Sequence, residues 1–107
     1  METLFMFDTI ADDVIKIYEQ LKDRYNLILT DTSELSDQFT AEGPIIIGEA
    51  HGQIIQLYED GIMFVLGVMD AEQTKGTHWH PFETEDAIRD IARFMEGKSD
   101  YPMRPFG

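Results

Sequence analysis

Cysteine is absent from this chain, and basic residues are scarce: 8 Lys and Arg stand against 21 Asp and Glu in 107 residues, a formal charge of −13. Without cysteine there can be no disulfide framework, thiol nucleophile or thiolate metal site. The shortage of bases is regional as well as global. From Tyr25 to Thr74 there is no Lys or Arg, while Asp31, Glu34, Asp37, Glu42, Glu49, Glu59, Asp60, Asp70 and Glu72 fall inside that stretch. Nucleic-acid binding rests on cations that neutralise phosphates, so such a segment argues strongly against it. Anionic membrane surfaces and phosphorylated small molecules are disfavoured on the same ground.

Long hydrophobic runs are also missing. None approaches the roughly 20 apolar residues that a membrane-spanning helix needs. Met1 to Asp13 holds four acids and no base, the wrong sign for a signal peptide or a mitochondrial presequence. The expectation is a cytoplasmic protein that does not engage a membrane. A 43% hydrophobic content is enough for a core, and the length suits one domain. No repeat, linker or low-complexity tract divides residues 1–107, so a single domain is expected, ending in a Pro-containing extended tail over 98–107.

Apolar residues do recur in readable patterns. Ile10, Val14, Ile17, Tyr18, Leu21 and Tyr25 repeat at spacings of three and four, which predicts an amphipathic helix over 9–25. Thr9 suits its N-cap, Asp12 and Asp13 favour its first turn, and Phe5 and Met6 can fold back as a hydrophobic staple. Leu27-Ile28-Leu29 fits a strand or a buried connector. Residues 31–43 are rich in Asp, Thr, Ser and Glu, which predicts a long loop with at most one helical turn near Ser33 to Phe39.

Three β-strands follow. Ile45-Ile46-Ile47 leads through His51-Gly52 to Gln53–Tyr58, and Asp60-Gly61 leads to Ile62–Met69. A DG pair between apolar runs signals a type I′ hairpin. The last of these strands is apolar on both faces, which requires neighbours on both sides. Thr77-His78-Trp79-His80 is the candidate fourth strand, ended by Pro81. Thr84 then opens a second helix over 84–96, with Ile88, Ile91, Ala92 and Met95 as its stripe and Gly97 as its stop. The predicted fold is α+β: an antiparallel meander of three to four strands with an N-terminal and a C-terminal helix packed on one face.

Motifs for chemistry are few. No G-x-G-x-x-G, G-x-x-x-x-G-K-[ST] or G-x-S-x-G occurs, and Asp31-Thr32-Ser33-Glu34 lacks the spacing of an EF-hand. Glu49, Glu59 and Asp70 lie near strand ends, but with 21 acids in the chain a chance pair has little weight without a raised pKa in a cleft. His78 and His80, two apart, share one face of a strand, and with His51 they would make three imidazole ligands for zinc or nickel. The plainer reading has Trp79 in the core and the histidines half-exposed beside it. Neither catalysis nor a cofactor is therefore expected.

The leading functional expectation is a non-enzymatic, acidic protein-binding module, of inhibitor or immunity type, against a basic protein. Its binding residues would be Asp31, Glu34, Asp37, Glu42, Asp60, Asp70 and Glu72, with Tyr58 or Phe39 as aromatic anchors. Two alternatives remain: a small metal-binding protein using His78, His80 and His51, or a homodimeric structural subunit whose acids only keep it soluble.

Overall fold

The computed structural model describes residues 13–32, 43–98 and 102–105. The Thr9 cap, the Phe5 and Met6 staple and the turn near Ser33 to Phe39 lie outside these residues. So do Tyr101 and Phe106.

Helical residues 13–21 (α1) lead into a sheet of six antiparallel strands. They are β1 (Leu27–Asp31), β2 (Pro44–Ala50), β3 (Gln53–Asp60), β4 (Met63–Asp70), β5 (Lys75–Trp79) and β6 (Arg104–Pro105), with α2 (Thr84–Met95) between the last two. Strand order in space is β1-β2-β3-β4-β5-β6, an unbroken meander. The sheet is thus wider than the three to four strands expected, by one strand at each edge. Leu27-Ile28-Leu29 is strand rather than connector, Leu27 pairing with Gly48 and Asp31 with Pro44. In the tail, Arg104 pairs with Gly76 and Pro105 with Lys75. Proline lacks the N–H for a central ladder, and the edge of a sheet is where it is tolerated.

Register sorts every strand residue onto one of two faces. Leu27, Ile46, Ile55, Leu57, Phe64, Leu66 and Val68 fall on one face. They join Val14, Ile17 and Leu21 of α1 and Ala87, Ile91 and Phe94 of α2 in a single buried cluster. Burying a side chain of this size stabilises the fold by about 1.5–3 kcal/mol. An exposed ion pair such as Lys22–Glu19 at 2.6 Å is screened by solvent and adds far less, so the apolar cluster decides the architecture. Ile45 and Val65, on the second face, are buried as well.

Turn chemistry differs from expectation at one hairpin. Asp60 pairs with Met63, so the two-residue loop is Gly61-Ile62. Only Gly61 has positive φ, at 69°, which is the type II′ pattern rather than I′. Two consecutive left-handed residues occur instead at His51 (φ 56°) and Gly52 (φ 73°), between β2 and β3. At the end of α2, Lys98 N–H donates to the Arg93 carbonyl at 2.8 Å and Gly97 N–H to that of Phe94 at 3.0 Å. These are the two bonds of a Schellman cap, with Gly97 at φ 72° in the left-handed position. The helix begins at Thr84 as expected, but its N-cap is Glu83, whose N–H donates to Asp86 at 3.0 Å.

Gly48 sets how closely α2 approaches the sheet. A Cβ there would lie 2.7 Å from Leu27 Cδ2 and 3.2 Å from both Ile55 Cγ2 and Met95 Sδ. Overpacking of this kind costs about 1–3 kcal/mol. Gly48→Val is therefore expected to lower the melting temperature by about 5–15 °C in a thermal unfolding scan. A melting temperature within a degree of the parent would show that α2 can shift without loss.

Candidate functional site

Strand direction gives the sheet two ends. Asp31, Pro44, Asp60 and Met63 lie at one, and Leu27, Ala50, Gln53 and Asp70 at the other. The acids singled out from sequence divide between them. Asp31 and Asp60 belong to the first end, whereas Asp70 and Glu72 belong to the second. Glu34, Asp37 and Glu42 lie outside the described residues. Asp70 is engaged within its own turn: its Oδ1 accepts the N–H of Thr74 at 2.7 Å and of Lys75 at 3.0 Å. Those bonds, with one from the Thr74 hydroxyl, hold the Asp70 carboxyl below its ordinary range.

The first end carries a different feature as well. Ile62, at the tip of the β3–β4 hairpin, is fully exposed, Phe82 is 88% exposed and Met63 is 48% exposed. Leu66 pairs with Trp79, and His80 Nδ1 lies 3.0 Å from the Phe64 carbonyl. The chain therefore stays beside β4 as far as His80, and Phe82 follows two residues later in a bend before α2. Asp60 adjoins the tip on the other side. Ile62 and Met63 thus stand exposed beside Asp60 at the tip of this hairpin. Sequence reading placed Ile62 inside a strand and missed Phe82; the only signal for either was a large apolar residue next to turn residues.

Glu59 is the most perturbed ionisable group. It lies on the helix-bearing face, with one carboxyl oxygen, Oε1, buried and unpartnered. Burial, with a smaller contribution from the Asp13 charge on α1, pushes its pKa up to about 7. Its ionisable neighbour is the Asp13 carboxylate. Glu59 titrates near neutrality and so links the docking of α1 to proton concentration.

The histidines occupy separate surroundings. His78 and His80 share the second face, with ring centroids 5.9 Å apart and edge-on, while Trp79 turns to the core face and its Nε1 donates to Asp90 of α2 at 2.9 Å. His51 lies at the other end of the sheet, its Nε2 3.3 Å from the Met95 carbonyl and its ring against Gly97. Beside it, the Tyr25 hydroxyl donates to Glu96, which also pairs with Lys98 at 3.0 Å. That arrangement ties the segment between α1 and β1, the β2–β3 turn and the end of α2 together. Among the described residues no group of three His, Cys, Asp or Glu side chains is placed to hold a metal ion. No described helix is long and apolar enough to cross a membrane.

The sign of the Glu59 effect follows from linkage. Its folded pKa of about 7 exceeds the ordinary 4.5, so the folded state holds the proton more tightly and stability declines as pH rises from about 4.5 through 7. Solvent screening of this half-buried group limits the loss to about 1 kcal/mol. Glu59→Gln, a neutral isostere, should therefore raise the melting temperature by about 4–8 °C at pH 8 and change it little at pH 4.5. An equal shift at both pH values would contradict the assignment.

No family model, no curated protein and no solved structure matches this chain.

Proposed function

We propose that this chain is a non-enzymatic protein-binding module whose partner is a basic protein, an inhibitor- or immunity-type role in a cytoplasmic setting. The observation that carries the reading is the exposed apolar tip formed by Ile62 and Met63 beside Asp60, with Phe82 a further exposed aromatic. Interfaces derive most of their affinity from a few desolvated apolar or aromatic anchors, while surrounding charges set the approach rate and the choice of partner. Exposed Phe82 and Ile62 supply the anchors. The charge of −13 supplies long-range attraction for a cationic surface and repels nucleic acid. The absence of cysteine agrees with a reducing compartment. Asp70 is better assigned to its own turn than to recognition, since both carboxyl oxygens accept hydrogen bonds there.

Affinity capture from the native host, at low salt and at roughly 0.5 M salt where the Debye length is about 4 Å, tests the reading. A basic protein should be retained at low salt and weakened at high salt. The Ile62→Ser, Phe82→Ala double variant should lose it through faster dissociation. Asp60→Asn should slow association and flatten its salt dependence. Capture that is indifferent both to salt and to the double variant would rule the proposal out.

A further inference from the structure

We propose that the sheet face away from the helices carries a binding groove for a small, singly charged carboxylate on a flat apolar body, seated over Gly67 and Gly76 and held by Arg104 and His78. The register places Gly67 opposite His78, Met69 opposite Gly76, and Gly76 opposite Arg104. All five therefore lie on the same face. Two neighbouring strands lack side chains at diagonal positions, and the result is an open groove of about 530 Å³ with Met69, His78, Arg104 and Pro102 among its walls. That volume is within the range of small-ligand sites, roughly 300–1,000 Å³.

The fold does not require the gap. Gly67 does not have positive φ, and a Cβ built on it would meet only the Thr77 carbonyl at 3.7 Å and His78 Cβ at 3.9 Å, ordinary contacts. Glycine weakens a strand interior and often marks close approach of a ligand or another backbone. Gly48 has a packing reason to lack a side chain; Gly67 has none.

Charge identifies the ligand class. Lys22, Arg24, Arg89 and Lys98 are paired with carboxylates, Arg93 donates to the Lys98 carbonyl, and Lys16 also has a partner. Among the described residues, Lys75 and Arg104 are the two bases whose side chains have none, and both stand at the β5–β6 edge. The neighbouring carboxyl of Asp70 belongs by register to the other face and is taken up by Thr74 and Lys75 N–H groups. An uncompensated guanidinium in a chain of charge −13 attracts an anion locally, while the overall field repels a dianion more than a monoanion. Arginine's planar fork matches a carboxylate. A flat ring suits the glycine floor and the Met69 thioether. Phosphate satisfies the guanidinium alone.

Amide chemical-shift titration of the whole chain with benzoate, benzamide and inorganic phosphate tests the proposal. Benzoate should give saturable shifts centred on Gly67, Met69, Gly76 and His78. Benzamide and phosphate should bind at least about tenfold more weakly, and Arg104→Gln should weaken benzoate by a similar factor. Gly67→Val should remove benzoate binding by filling the groove, with a melting temperature unchanged or higher because valine favours strands. Equal binding of benzamide or phosphate, scattered shifts, no saturation, or full affinity in folded Gly67→Val would each overturn it. Because this groove shares no residue with the Ile62–Met63 tip or Phe82, either proposal can fail without the other.

Discussion

Everything in this molecule depends on the parity of a single meander. Spatial order follows chain order from β1 to β6, and β2, β3 and β4 turn directly into one another, so those hairpins must preserve which residues face the helices. A one-residue slip would move an apolar set from the buried face to the other. Two-residue turns at His51-Gly52 and Gly61-Ile62 hold that parity between β2, β3 and β4. Against the face they define, the stripes of α1 and α2 close one cluster from Val14 to Phe94. Gly48 on this face and Gly67 on the other then have different meanings. The first leaves room for Leu27, Ile55 and Met95, whereas a side chain at the second would meet only ordinary contacts.

The helices and the three central strands were legible because their patterns are local. Val14, Ile17 and Leu21 repeat at helical spacing, and the runs through 44–70 are rich in isoleucine and valine. The two edge strands were not legible, for a physical reason. Five residues at Leu27–Asp31 and two at Arg104–Pro105 contain too little periodicity to declare themselves. Their conformation comes from hydrogen bonds offered by β2 and β5, which are distant in sequence. The DG signal found the right hairpin but the wrong pair of turn residues, because Asp60 remains in the ladder opposite Met63.

Candidate sites were less legible than the fold, because each depends on distant residues or on missing side chains. Glu59 titrates near neutrality because burial, and secondarily the Asp13 charge on α1, raise its pKa. The groove over Gly67 and Gly76 is made of absent side chains, and absence has no sequence motif. The acids, by contrast, were fully visible in composition, yet composition could not show that Asp31 and Asp60 lie at one end of the sheet and Asp70 at the other. Nor could it separate an acid that fastens its own turn from one that faces outward.

That separation bears on the meaning of the charge. If the acids served solubility alone, the exposed surface between them would need no large apolar groups. Ile62 is the instructive exception. The type II′ turn requires a residue tolerant of positive φ only at its first central position, which Gly61 fills. The second position favours small polar residues, so a fully exposed isoleucine there contributes nothing to the turn and no burial to the core. With Met63 next to it, half-exposed, the hairpin tip presents apolar surface to water. On the proposed reading, charge would act at a distance and this apolar tip would act once the surfaces meet.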